Sequence, residues 1–254
     1  MSENIDARLE WTLRIGAALC FVGHGAFGVM TKAAWLPYFA VVGINPATAF
    51  AWMPVIGALD ITMGCLVLIT PRPAVALWMV GWAMWTALLR PLAGEPVWET
   101  LERAGNYGVP LALLLRMTPR PSLHAARRVL TATIVLLLAG HGALSIAGKP
   151  EFVRNLASVL PEHAAATLPM LGGLELALAA AVALRPSIPL LVFVALWKAA
   201  TEALFVTAGA PIWEWIERGG SYAAPVALAI VLSATRRDPA SRHEKTTGGP
   251  GHPS

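Results

Sequence analysis

Two histidines, each followed at the same distance by a lysine, are the first residues in this chain that can do chemistry. Gly23-His24-Gly25-Ala26 precedes Lys32, and Gly140-His141-Gly142-Ala143 precedes Lys149. Each histidine sits late in an apolar run, and the next apolar run in each case carries a single acid, Asp60 or Glu175. Antiparallel neighbours would bring His24 to Asp60 and His141 to Glu175 at comparable depth. Such a pair either exchanges protons near neutral pH or fixes packing through an interhelical hydrogen bond worth about 1 kcal/mol. Lys32 and Lys149 lie eight residues beyond their histidines, on the same face of a continuing helix. They either snorkel to the membrane interface or anchor an anionic ligand or lipid.

A second signature is denser. Pro96-Val97-Trp98-Glu99-Thr100-Leu101-Glu102-Arg103 returns as Pro211-Ile212-Trp213-Glu214-Trp215-Ile216-Glu217-Arg218. The prolines suit a first helical position. Glu99 with Arg103, and Glu214 with Arg218, are i, i+4 pairs in the favourable acid-first order. Keeping a Trp, two acids, an Arg, a Gly and a Tyr exceeds what a surface pair needs. A partly buried polar cluster that closes or lines a cavity is expected, with Tyr107 and Tyr222 in reach of it. The second acids, Glu102 and Glu217, should face the His or Lys of the first helix of their own repeat. Lys198 and Glu202, also i, i+4 and expected to neutralise each other, are not duplicated. Ala83 and Ala87 stand at those places, and Arg90 aligns with Phe205, so the halves have diverged.

The elements that position these residues repeat in the same order, with Pro54–Asp60 returning as Pro169–Glu175. That order and spacing read as a tandem duplication. The chain has 254 residues, 56% hydrophobic and only 13% charged, with mean hydropathy +0.61, whereas about a quarter of a soluble sequence is charged. Apolar segments fall near 11–30, 50–69, 74–92 and 96–117, then 128–147, 166–184, 188–207 and 211–233. A span needs about 20 largely apolar residues, so the fold class is all-α: a polytopic membrane protein with two four-helix transmembrane bundles and eight spans. The repeats occupy residues 1–118 and 128–233, a cytoplasmic linker 119–127, and a basic, disordered tail 234–254. The first segment is not a cleaved signal peptide, because its flanks carry acids as well as bases and no small-residue cleavage pattern follows.

Lys and Arg in the loops set the orientation. Arg8, Arg14, Arg72, Arg116, Arg120, Arg127, Arg128, Arg185, Arg236, Arg237, Arg242 and Lys245 lie on one side, 12 in all. Lys32, Arg90, Arg103, Lys149, Arg154 and Arg218, 6 in all, lie on the other. Both termini are thus expected on the cytoplasmic side of a bacterial inner membrane, with the Trp-Glu segments outside. No basic face interleaved with aromatics points to nucleic acid. Cys20 and Cys65 sit in separate apolar runs without a CxxC or metal-type spacing, and read as small buried apolar residues.

The sequence resembles the DoxX-like (DoxX/DoxD) membrane proteins. The likeness rests on His24-Gly25…Lys32 with Leu59-Asp60…Gly64…Pro71-Arg72, and on His141-Gly142…Lys149 with Leu174-Glu175…Arg185-Pro186. It covers the first two helices of each half. The resemblance implies a compact four-helix membrane unit, here fused in two copies, and association with quinone-linked or oxidative-stress redox partner subunits. The expected function is redox-associated, with an outer-leaflet pocket for a quinone or similar small apolar ligand. A carrier or permease, and a non-catalytic scaffold subunit, are the alternatives. The ligand-binding or proton-relay candidates are His24, Lys32, Asp60, Glu99, Glu102, Arg103, Tyr107, His141, Lys149, Glu175, Glu214, Glu217, Arg218 and Tyr222. Quinone is the candidate cofactor. Haem, which would need the two histidines to face each other, is disfavoured, and no metal site is expected. With no Walker loop, zinc motif, nucleophile elbow or dinucleotide fingerprint, no reaction can be named.

Overall fold

A computed structural model describes residues 2–119 and 121–237, which form helices and turns without a strand. In chain order the helices are α1 (Ser2–Val29), α2 (Leu36–Val41), α3 (Pro46–Ile69), α4 (Pro73–Leu92), α5 (Trp98–Glu102) and α6 (Ala104–Arg116). There follow α7 (Leu123–Ile146), α8 (Pro150–Ala157), α9 (Ala164–Leu184), α10 (Ile188–Thr207), α11 (Trp213–Glu217) and α12 (Gly219–Arg237). Six of them, α1, α3, α4, α7, α9 and α10, are long and apolar enough to cross a membrane.

Local chemistry sets the boundaries. Asn45 caps α3 by accepting a hydrogen bond from the Thr48 amide at 3.0 Å, with Pro46 at the first position, where the missing N–H costs nothing. The far end of α3 is closed by a different chain segment. The buried Arg14 of α1 donates from Nε to the Val67 carbonyl at 3.0 Å and from Nη2 to the Leu68 carbonyl, satisfying two of the orphan acceptors at a helix C-terminus. Ser122 caps α7 through the Ala125 amide at 3.2 Å.

Several sequence expectations are corrected here. Each fourth segment is two helices, not one: α5 and α6 are separated at Arg103, and α11 and α12 at Arg218. Pro96 and Pro211 lie two residues before those short helices, where their carbonyls accept from the Glu99 and Glu214 amides. The 31–49 and 148–165 connections carry α2 and α8. Helix α7 begins at Leu123, inside the expected linker, and α12 runs on to Arg237. The rest of the expected tail, 238–254, lies outside the described residues. Cys65 is exposed, while Cys20 is buried.

Burial shows how the bundle meets its surroundings. On α3 the buried residues Ala49, Met53, Gly57, Asp60, Gly64 and Val67 recur every three or four positions. The opposite face exposes Trp52, Val55 and Leu59. Leaving such side chains in water rather than burying them costs about 1.5–3 kcal/mol each, so an apolar outer face is a lipid-facing one.

Glycines bring the helices together. A Cβ on Gly28 of α1 would stand 2.7 Å from Gly57 Cα, and one on Gly142 of α7 would stand 2.8 Å from the Gly172 carbonyl of α9. In a membrane such small-residue contacts drive helix association. In the centre, Gly105 of α6 and Gly220 of α12 approach backbone to backbone. Two further glycines cross between the repeats. Gly23 of α1 lies against the Glu217 backbone of α11, and Gly140 of α7 lies against the Glu102 backbone of α5. Helix α1 of the first half therefore packs on α11 of the second, and α7 of the second on α5 of the first.

Candidate functional site

The crossed packing decides which charges meet. Lys32, three residues beyond α1 and so not on a continuing helix, reaches Glu214 of α11 at 2.5 Å. Lys149, just after α7, reaches Glu99 of α5 at 2.8 Å and Glu102 at 3.6 Å. The expectation that the second acids face their own repeat's first helix is overturned: Glu102 pairs with the lysine of the other repeat. Glu217 has no ion-pair or hydrogen-bond partner among the described residues. The intrahelical pairs form as their spacing predicts, with Arg103–Glu99 at 3.2 Å and Arg218–Glu214 at 2.7 Å. Arg103 also holds Glu102 at 2.9 Å.

Both histidines meet their acids. His24 Nδ1 lies 2.7 Å from Asp60 Oδ2, and His141 Nδ1 lies 2.5 Å from Glu175 Oε2. Each imidazole is backed by an aromatic ring, Trp35 at 4.5 Å or Phe152 at 4.4 Å between centroids.

Around Glu175 the interior is ionic. Its Oε1 accepts from Trp197 Nε1 at 3.0 Å and from Lys198 Nζ at 3.3 Å. Lys198, 0% exposed, pairs with Glu202 at 2.9 Å, as the sequence suggested, and Glu202 pairs with Arg218 at 2.7 Å. With Arg218–Glu214 and Glu214–Lys32, an unbroken chain of ion pairs runs from Glu175 to Lys32. Buried charges are tolerated only when paired in this way.

Beside His24, the partner of Asp60, the interior is hollow. Ala83 and Ala87 supply no charge, and a cavity of about 510 Å³ opens beside Ala83. Its walls include Trp35, Trp82, Trp85, Ile56 and Leu89, with His24 and Ala83 among its lining. Its bases are Lys32, Arg90, Arg103, Lys149 and Arg218; its acids are Glu95, Glu99, Glu151, Glu214 and Glu217. Five cations against five anions leave the lining neutral apart from His24. Arg90 braces the rim, at 3.0 Å from Glu95 and 3.6 Å from Glu99. The Tyr38 hydroxyl donates to Glu95 at 2.5 Å and accepts from Arg90 at 2.8 Å. Burial, reinforced by the Glu95 acceptor and opposed by Arg90, pushes that hydroxyl up to about 12. It keeps its proton at any physiological pH. Beside His141 there is only a space of about 30 Å³, room for one or two water molecules.

Of the sequence candidates, the cavity gathers His24, Lys32, Glu99, Arg103, Lys149, Glu214, Glu217 and Arg218. Asp60 and Glu102 stand behind it through their partners. Tyr107 and Tyr222 do not line it, contrary to expectation. Their hydroxyls donate to the carbonyls of Thr100 at 3.2 Å and Trp215 at 2.9 Å, bracing α5 and α11. His141 and Glu175 belong to the small pocket. The residues that sequence reasoning passed over are Trp35, Trp82 and Arg90. The lone Arg90 in place of Phe205 was the available signal for the last. Among the described residues no three His, Cys, Asp or Glu side chains are placed to hold a metal ion.

Fold and site together define a helical multi-pass membrane protein with an aromatic, charge-rimmed cavity lined from both halves of the chain. No family model matches the chain, and neither a curated protein nor a solved structure similar to it was found.

Proposed function

We propose that the chain is a DoxX-like, eight-span protein of the bacterial inner membrane, built by tandem duplication of a four-helix unit. Both termini are cytoplasmic, and the cavity opens toward the outer leaflet, where a quinone or similar small, largely apolar ligand binds in association with a redox partner subunit. The observation that carries this reading is the 510 Å³ cavity itself, with indole walls and one histidine held by a buried acid. Ligand pockets of a few hundred Å³ are mostly apolar with a few placed polar groups. A neutral lining favours an uncharged molecule. His24, oriented through Nδ1 by Asp60, is left with Nε2 for a ligand oxygen. The 12-to-6 excess of loop bases supports the orientation, which labelling of a cysteine at Glu95 from outside the cell checks.

A carrier is the second reading. It is favoured by the helix breaks at Arg103 and Arg218, since transporter sites are commonly built at discontinuous helices. Titration of the purified protein with a short-chain ubiquinone, followed by tryptophan fluorescence, tests the first reading. Saturable quenching is expected, with binding weakened on the order of tenfold in His24→Ala. Unchanged affinity in that variant would remove His24 from the site, and quinone uptake into proteoliposomes would favour the carrier.

A further inference from the structure

The two repeats treat their buried acid differently, and the difference falls at the cavity. Glu175 is fully occupied: His141 holds one oxygen, and Trp197 and Lys198 share the other. Asp60 is one methylene shorter and meets His24 alone. Its Oδ1 is buried without a partner, and so is the indole Nε1 of Trp82, which stands at the position of Trp197. Ala83 stands at the position of Lys198. The donor and acceptor that Trp197 and Glu175 give each other are thus both unmet in the first repeat. Native interiors rarely leave such groups without a protein, water or ligand partner.

The chemistry of the missing group follows from what it must satisfy. Because Trp197 donates to Glu175 directly, a group set between their counterparts would donate to Asp60 Oδ1 and accept from Trp82 Nε1. A hydroxyl does both. An ammonium would leave the indole N–H unmet, and a carbonyl would set its lone pairs against the carboxylate. Asp60 does not itself line the cavity, but Trp82 and Ala83 do. The approach is therefore from the Ala83 side, the side from which Lys198 reaches Glu175, with a displacement of the Trp82 indole. Glu217 offers a second acceptor on the same cavity, free of any ion pair among the described residues. The neutral lining and indole walls suit an uncharged aromatic body.

We infer that the cavity takes a neutral aromatic ligand through a hydroxyl lodged between Asp60 and Trp82, and so binds a hydroquinone in preference to the corresponding quinone. This rests on the reading of the cavity as a quinone-type site and goes further by fixing the oxidation state it holds. In the second repeat Lys198 occupies the equivalent volume, and the site is closed.

Anaerobic calorimetric titration of the full-length protein with 2,3,5-trimethylhydroquinone and with its benzoquinone tests the inference. The hydroquinone should bind on the order of tenfold more tightly. Trp82→Phe should remove most of that preference. Asp60→Asn should remove it too, because its amide can donate to a carbonyl, and this variant carries the test if Trp82→Phe fails to fold. Ala83→Lys, which imports the lysine of the second repeat, should abolish binding of both molecules in a protein that still melts cooperatively. Equal affinities, or tighter quinone binding, would overturn the inference and leave the quinone-type reading standing. A preference that survives both Trp82→Phe and Asp60→Asn would mean that the gap holds only water, and would overturn it as well. Failure of both molecules to bind the unmodified protein would overturn the quinone-type reading and the inference with it.

Discussion

Lys198→Met is expected to be among the most damaging single substitutions in the chain, lowering stability by about 3–5 kcal/mol. The ammonium is fully enclosed and lies between two carboxylates, Glu175 at 3.3 Å and Glu202 at 2.9 Å. Removing it leaves both acids short of a cation in a region from which water is excluded. Methionine fills nearly the same volume, so the loss measures charge rather than packing. Glu202 keeps Arg218 and Glu175 keeps His141, which holds the cost to that range. Adding Glu202→Met should return part of the lost stability, since an apolar replacement of a whole buried pair is often tolerated. Reversible unfolding in detergent of the single and double variants measures this. A single variant within about 1 kcal/mol of the parent would mean that the buried chain of charges is not formed.

The second large effect belongs to a residue with no side chain. Gly140→Ala should cost about 3 kcal/mol, at the upper end of what overpacking does. The added Cβ would overlap the Glu102 amide and stand 2.7 Å from the Leu101 carbonyl carbon and 2.8 Å from the Trp98 carbonyl oxygen. These are backbone atoms of the short helix α5, which cannot rotate away as a side chain would. Gly23→Ala should behave alike against Glu217 of α11. Gly81 and Gly173 are the controls, because nothing lies within 4 Å of a Cβ built on either. There Ala should stabilise the helix by about 0.5–1 kcal/mol. Thermal melts of the four alanine variants should separate into two losses and two gains. A neutral Gly140→Ala would contradict the crossed packing.

Residue spacing gave away the contacts within and between adjacent helices. His24 with Asp60, His141 with Glu175, and the two Glu–Arg pairs were legible, because helical period and depth in an apolar run fix which side chains can meet. Spacing cannot say which neighbour a helix face meets. Lys32 and Lys149 could equally have served the acids of their own repeat, and only the packing of Gly23 and Gly140 on the opposite short helices sends them across. Those glycines, flanking the histidines in both repeats, were the signal for a close backbone approach. The broken fourth segments were half legible. Their first turns carry Glu99, Glu102 and Arg103, or Glu214, Glu217 and Arg218, yet nothing in the sequence placed the breaks at Arg103 and Arg218. The cavity was half written in the exchange of Lys198 for Ala83, but locating it required knowing that position 83 faces it. Trp82 was one of many tryptophans until its indole nitrogen proved to be buried without a partner.

The cavity beside His24 is expected to bind a small, largely apolar molecule. Protein purified in mild detergent from its own membranes, extracted with organic solvent and analysed by ultraviolet absorption and mass spectrometry, tests this most directly. About one quinone-type molecule per chain is expected, as a cavity of this size accommodates, and none from Ala83→Lys prepared in parallel. Phospholipid alone in both extracts would contradict it.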